Sequence, residues 1–324
     1  MTNPHLDSHP LSDFLSHVRL APRQAHKSLT LWPLVLTDEG APAAGPEYVA
    51  LGTALAQDAV QVDEVDESGA VPHVRVTNAG DPAVLFLFGE EIRGAKQNRV
   101  ANASFLVPPK SEVVLDVSCV EAGRWHRSRG ARFESSDEVL SPSLRRKMTG
   151  KVTQARARGL GFYADQGEVW EQISERLHAS GTASETQDYA DYRESRATDL
   201  DELTKAFHPV EGQVGFIACI GDEVAGLEAI GRPDVFRADF RALLRSYAID
   251  AVDAALVRKL EERPAHGPHF ETPEAFLSAL AGAPFTSGRS LGAGDDLRID
   301  GPEVAGCALA HEGLVHVTAF PAQA

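Results

Sequence analysis

The chain has 324 residues, 43% of them hydrophobic and 24% charged, with a formal net charge of −16. That length holds one large domain or two modest ones, and the charge argues against a generally basic nucleic-acid binder or a membrane-surface protein. Three widely spaced cysteines, Cys119, Cys219 and Cys307, offer neither a disulfide framework nor a CxxC metal pair, so the expected compartment is the reducing cytoplasm.

The opening residues lack the cationic start and apolar core of a signal peptide, and no apolar run approaches the ~20 residues that cross a bilayer. No membrane partner is expected. Residues 1–27 are polar, with scattered Pro and His, and read as a flexible arm with a short helix at "LSDFLSHV". A strand follows at Leu29 to Leu36. "EYVALGTALAQ" opens as a strand and passes into a short helix. "VQVDEVD" and "HVRVTN" alternate apolar and polar residues, and "NAGDP" is a turn. "AVLFLF" (Ala83 to Phe88) is an unbroken apolar run, a buried strand. "RVANASFLVP" and "EVVLDVSCVE" read as a hairpin joined at "PPKS".

From about residue 134 to 207 the pattern turns helical. Pro142 fits a first-turn position, and Val169, Ile173 and Leu177 form a four-residue stripe. Ser184 is placed as an N-cap. Strands return at Gly212 to Gly231, a hairpin around "GDE". A long amphipathic helix spans about 232–258, with Phe236, Phe240, Leu243, Leu244 and Tyr247 on one face. The last fifty residues give a helix ("TPEAFLSAL") and a strand pair turning at "HEG". The expected class is α+β: a mostly antiparallel β-sheet core with a helical insertion.

Two polar segments leave apolar strands. "GEEIRGAKQNR" holds Glu90, Glu91, Arg93, Lys96, Gln97, Asn98 and Arg99; "CVEAGRWHR" holds Glu121, Arg124, Trp125, His126 and Arg127. If both strands lie in one sheet, the two exits meet at one edge. Arginines there suit bidentate grip of carboxylate or phosphate. The plain alternative is a polar loop whose charges pair with one another. Cys119 with His126 could form a thiolate and base, though such a cysteine is more often a small buried apolar residue. Glu90, Glu91, Glu121 and His126 could ligate a divalent metal, but no HxH or HExxH spacing supports it. "GAGDD" (Gly292 to Asp296) lacks the Lys-Ser/Thr ending of a phosphate loop, and neither GxSxG nor a strand-borne GxGxxG occurs.

Between Arg124 and Arg158 stand ten basic residues, Arg145 and Arg146 among them, against three acidic ones, a surplus of seven within 35 residues of an acidic chain. This suits an anion site, or a basic flank that neutralises the acidic 185–202 segment.

The segments "GEEIRGAKQNRVANASFLVPP", "VSCVEAGRW", "QGEVWEQISERLHASGTASETQDY", "GQVGFIACIGDEVAGLEAIGRPDVFRADFRALLRSYAIDA" and "ALAHEGLVHVTAFP" resemble, in this order, the ARPP-1 domain family, over roughly residues 28–322. The family's name refers to association with ADP-ribosylglycohydrolases and rhodanese-phosphatases. The resemblance implies one continuous domain over 28–324 and a setting in ADP-ribose or NAD-derived chemistry; it carries no reaction and no catalytic residue.

Three expectations follow. In the first, the chain binds or processes a phosphorylated nucleotide-type molecule, as a hydrolase or transferase if it is an enzyme. Arg93, Lys96, Arg99, Arg124 and Arg127 would hold phosphates, Gln97 and Asn98 would read ribose or base, and His126 would line the same site. Trp125 would stack, and Glu91 or Glu121 would be the general base. In the second, the basic 124–158 segment contacts nucleic acid or a protein, with steep salt dependence. In the third, both polar exits are internal networks fastening the helical insertion to the sheet.

Overall fold

The computed structural model describes residues 10–37, 46–65, 72–124, 132–260 and 268–323. The chain opens with α1 (Pro10–Ser16), β1 (Val18–Leu20), β2 (Gln24–His26) and β3 (Leu29–Leu36). Leu11 and Phe14, three apart on α1, are both buried. β1 and β2 hydrogen-bond to the two ends of β3. The arm expected at 1–27 is thus part of the fold from Pro10 on, because its few apolar side chains find a sheet face.

β4 (Tyr48–Ala50) runs into α2 (Leu51–Ala56), as the sequence suggests. Then come β5 (Val60–Glu64), β6 (His73–Asn78), β7 (Ala83–Phe86), β8 (Glu90–Gly94), β9 (Arg99–Ala101), β10 (Phe105–Val107), β11 (Ser111–Cys119) and β12 (Phe133–Val139). The helical segment holds α3 (Pro142–Ala157), α4 (Gln166–Ser180), α5 (Tyr189–Glu194) and α6 (Ala197–Thr204). The remainder is β13 (Gln213–Ile220), β14 (Glu223–Ile230), α7 (Pro233–Val252), α8 (Ala254–Leu260), α9 (Pro273–Ala281), β15 (Phe285–Arg289), β16 (Asp295–Asp300), β17 (Val304–Ala310) and β18 (Leu314–Pro321).

The fold is α+β. A nine-stranded sheet has the order β1-β3-β13-β14-β18-β17-β16-β15, with β2 also on β3; a six-stranded sheet runs β12-β8-β9-β11-β6-β5; a small one runs β10-β7-β4. Pairing is antiparallel except between β4 and β7. Alternation divides the large sheet's faces. Phe216 and Ala218 join the main core with Phe236, Leu243 and Tyr247 of α7, while Ile217 and Leu227 join a second core with Leu11, Phe14 and Phe276.

Four expectations change. The helical insertion begins at Pro142, not at 134, because Phe133–Val139 adds a strand to β8 with Phe133 opposite Gly94. The hairpin at "PPKS" is split: Val117 pairs with Ala101, but Phe105–Val107 pairs with β7. The helix expected over 232–258 breaks at Asp253, which ends α7. The N-cap of α5 is Asp188, whose own N–H donates to Ser184 Oγ at 2.9 Å. Pro142 at the helix start and the buried stripe Val169, Ile173 and Leu177 agree with the sequence reading.

Candidate functional site

The two polar exits do meet, because β8, β9 and β11 are consecutive neighbours in one sheet. The turn between β8 and β9 is tight. Gly94 has φ +130°, and a Cβ there would lie 2.4 Å from the Arg132 carbonyl oxygen, so only glycine fits.

Asn98 is the hub. Its N–H donates to Glu121 Oε2 (3.2 Å), its Oδ1 accepts from the Gly94 N–H (3.2 Å), and its Nδ2 donates to Asp188 Oδ2 (2.8 Å). Gln97 Nε2 donates to the Glu121 carbonyl at 2.7 Å. Glu121 and Arg124 form a two-point ion pair, Nε to Oε1 at 2.8 Å and Nη2 to Oε2 at 2.7 Å, while Arg124 Nη1 donates to the Ala95 carbonyl at 2.8 Å. Burial pushes the Glu121 carboxyl up, but the Arg124 hydrogen bonds and charge, with the Asn98 N–H, outweigh it and hold it below the usual range. Beneath it, burial raises Asp188 to about 7, with the Glu91 and Glu121 charges adding to the effect against the Ala190 N–H.

The other predicted residues are placed less favourably for ligand contact. Arg99 is wholly buried: Nη1 lies 2.6 Å from Cys119 Sγ and donates to Gln97 Oε1, and Nη2 pairs with Glu64 Oε2 at 3.3 Å. Lys96 is buried, its backbone N–H on Glu64 Oε1 at 3.2 Å. Arg93, partly exposed, bonds Glu91 Oε1 at 3.1 Å and approaches Glu194 at 3.7 Å. Glu91 also accepts from Arg193 Nη2 at 2.6 Å and from Ser136 Oγ at 3.4 Å. Trp125, His126 and Arg127 lie outside the described residues. Among the described residues, no group of three or more His, Cys, Asp and Glu side chains is placed to hold a metal; the oxygens of Glu91 and Glu121 face guanidinium and N–H donors instead. Burial raises the Cys119 thiol to about 11 despite Arg99, with the Glu64 and Glu121 charges adding to it, so it is a protonated core residue and no nucleophile at neutral pH.

The ion pair Glu121–Arg124 floors an open groove of about 1310 Å³. One wall is the segment 180–186, the other Asp191, Glu194, Ser195 and Arg196 of α5 and its end. The wall is pinned by Gly123 N–H on the Thr186 carbonyl (2.7 Å) and Tyr189 N–H on the Val120 carbonyl (3.0 Å). The groove is lined by the hydroxyl residues Ser180, Thr182, Ser184, Thr186 and Ser195 and the acids Glu121, Glu185, Asp191 and Glu194, with Arg124 and Arg196 as its guanidiniums; the Ser184 hydroxyl donates to Asp191 Oδ2 at 2.5 Å, and the Thr182 and Ser195 hydroxyls bond each other at 3.1 Å. Glu91 and Arg99 do not line it.

Part of the basic surplus is turned inward or paired, while Arg132 and Arg158 are exposed. Arg145 is wholly buried on Glu228 at 2.7 Å, Arg146 is buried, Lys151 pairs with Glu168 at 2.8 Å, and Arg156 with Asp296 at 3.5 Å. Charge counting along the chain could not see that α3 packs through its arginines.

Sequence reasoning did not single out Asp188, Arg193, Glu138 or Glu64. The one available signal was an Asp ahead of the helical "YADYRE", an N-cap pattern. It also missed a buried Ser-His-Glu arrangement: Ser104 Oγ lies 2.7 Å from His316 Nδ1, and His316 Nε2 lies 3.3 Å from Glu228 Oε2. The geometry is triad-like, but all three are buried, Ser104 Oγ also accepts the Phe88 N–H, and Glu228 holds Arg145, Tyr247 and Thr318 as well. Without access to a cavity it serves the core.

No helix among the described residues is long and apolar enough to cross a membrane. The model of one family, the ARG and Rhodanese-Phosphatase-superfamily-associated Protein domain, matches residues 17–320. Neither the curated proteins nor the solved structures gave a match. With the motif-bearing segments and both strand exits inside that match, the chain belongs to the ARPP-1 family.

Proposed function

We propose that the chain binds a ribose-bearing, phosphorylated small molecule of the ADP-ribose type in the groove above Glu121 and Arg124. The supporting observation is the groove's chemistry: five hydroxyls and three further carboxylates around the buried Glu121–Arg124 pair. Carboxylates and hydroxyls suit vicinal ribose hydroxyls, which donate and accept at once. The carboxylates outnumber the guanidiniums, so the sugar is the part held closely. Arg196, one-fifth exposed and bonded through Nε to Asp253 Oδ2 at 2.8 Å and through Nη1 to Ser195 Oγ at 3.0 Å, is the guanidinium at the groove's rim for a phosphate. Glu121, held ionised, is the acceptor for a ribose hydroxyl or water proton, and Asp188, poised near neutrality, backs it through Asn98. The family's name, with its ADP-ribosylglycohydrolase association, points to the same ligand class.

Thermal denaturation with ADP-ribose, ADP and ribose 5-phosphate at millimolar concentration tests this. ADP-ribose is expected to raise Tm by several degrees, and Ala183→Trp, which fills the groove from its exposed wall, to remove the rise without changing the unliganded Tm. No shift with any of the three compounds refutes the reading.

A second reading rests on the mutual pairing of Glu91, Arg93, Arg193 and Glu138. In it these polar residues fasten the helical segment to the six-stranded sheet and touch no ligand. The two readings divide the predicted residues between them: Glu121 and Arg124 face the groove, Glu91 and Arg99 the interior.

A further inference from the structure

The nine-stranded sheet ends at β15, whose register with β16 is regular from Phe285 opposite Ile299 to Arg289 opposite Asp295. Just beyond the strand ends, the Ser290 N–H donates to the Gly294 carbonyl and the Asp300 N–H to the Pro284 carbonyl. In an antiparallel ladder alternate residues face the partner strand. Thr286 and Gly288 therefore face β16 with Pro284 and Ser290, and Phe285, Ser287 and Arg289 turn their N–H and C=O groups outward. The Arg289 carbonyl agrees with this direction, since it accepts from Arg156 Nη2 of α3 at 2.9 Å. All of β15 except Gly288 is exposed. Natural edge strands are blunted by proline, lysine, a bulge or a covering element. β15 has no proline, no lysine and no register shift, and among the described residues no strand pairs with its outer side.

The strand FTSGR is complementary to itself in one antiparallel register. With a two-fold axis at Ser287, Phe285 of each copy lies opposite Arg289 of the other, and the small pair Thr286 and Gly288 lie opposite each other. Phe285 is 36% exposed and the Arg289 side chain 86%, so each ring is offered a guanidinium across the strands. An axis at Arg289 would instead set like charges face to face. We infer that β15 is a dimerisation edge, at which two copies of this chain join antiparallel about Ser287 into one continuous sheet. The contact is isologous, as a two-fold requires. The outward N–H and C=O groups of Phe285, Ser287 and Arg289 then meet counterparts, the Arg289 carbonyl using its second lone pair. The charge of −16 on each copy opposes association, and the strand is short, so the dimer is weak and concentration-dependent. β15 lines no part of the groove, and the inference does not depend on the ligand proposed there.

Sedimentation velocity of the full chain over a dilution series from about 200 µM to about 1 µM tests the inference. A reversible monomer–dimer equilibrium is expected. Ser287→Pro removes an outward N–H and leaves the bonds to β16 in place, a position where an edge strand tolerates proline. It is expected to weaken the dimer about tenfold or more, with the Tm of the dilute protein unchanged. Ser287→Cys brings two Cα atoms to about 5.5 Å across the axis, within disulfide reach. Oxidation by diamide is expected to cross-link this variant and not the wild-type chain with its native cysteines. A wild-type chain that stays monomeric throughout the series, an unweakened dimer in Ser287→Pro, or no cross-link in Ser287→Cys overturns the proposal. Should Ser287→Pro fail to fold, the cross-link decides alone.

Discussion

Arg193 Nη2 lies 2.6 Å from Glu91 Oε2, with both side chains almost wholly buried. One residue sits on α5, the other on β8, so this contact ties the helical segment to the six-stranded sheet. It extends into a chain of pairs: Arg193 also faces Glu138 at 3.7 Å, and Arg245 of α7 joins Glu138 at 2.9 Å and Asp201 at 2.7 Å. The Arg193 guanidinium, which burial alone would make easier to deprotonate, is held charged by Glu91 and Glu138. Five elements, β8, β12, α5, α6 and α7, are thereby held in one arrangement, and the groove wall formed by α5 is set in place with them.

Glu91→Gln should therefore cost on the order of 3–5 kcal/mol, because the buried Arg193 loses its nearest carboxylate and keeps, among the described residues, the longer ion pair with Glu138 at 3.7 Å. Urea denaturation followed by circular dichroism measures this. The double change Glu91→Leu with Arg193→Leu should cost clearly less than the sum of the two single changes, since neither charge is then stranded. Wild-type stability in Glu91→Gln would remove the fastening role.

The difference between what was legible and what was not follows one physical line. β3, the β13–β14 hairpin and the stripe on α4 are local: alternation, turn residues and four-residue spacing determine them within ten to twenty positions. That the two polar exits meet was legible too, since each follows an apolar strand; the Asn98–Glu121 bond within that meeting was not. Whether a charged residue faces a groove or an interior partner was not. Arg145 and Arg124 are of the same type and belong to the same basic stretch of the sequence, yet one is sealed on Glu228 beneath α7 while the other reaches a groove floor. Glu64, which neutralises Arg99, is 35 residues away, and no spacing rule links them. Gly89 shows the same limit: its missing Cβ leaves room for the Arg145 side chain, whose Cδ would lie 2.5 Å from an added Cβ, a requirement invisible until α3 is in place.

The Arg145–Glu228 pair yields a prediction with a pH signature. Burial pushes the Glu228 carboxyl up, but Arg145 and the hydrogen bonds of His316 and Thr318 bring it below its ordinary value. A carboxyl lowered in the folded state adds stability above its unfolded pKa and loses it as pH falls. In Arg145→Met the lowering charge is gone and burial dominates, so Glu228 should take up a proton on folding, and stability should instead fall as pH rises. The deficit relative to wild type should be small near pH 4.5 and reach about 3–5 kcal/mol near pH 7.5. Chemical denaturation at the two values measures it; a deficit that does not grow with pH contradicts the account.

Asp239 of α7 offers the opposite sign. It is buried, and burial with the nearby Asp137 charge raises its carboxyl to about 7; burial and the Asp239 charge raise the buried Glu90 carboxyl as well. An acid whose pKa is higher folded than unfolded contributes stability below its unfolded pKa and loses it as pH rises through the folded value. The wild-type protein should therefore lose stability between about pH 4 and pH 7 on account of these carboxyls. Asp239→Asn keeps the shape and removes the charge, and it also lets Glu90 ionise against one fewer negative neighbour. Its Tm should match wild type near pH 4.5 and exceed it by a few degrees at pH 8. A lower Tm for Asp239→Asn at pH 8 would mean that the ionised carboxylate has a favourable partner, and would contradict the repulsion between β8 and α7 on which this prediction rests.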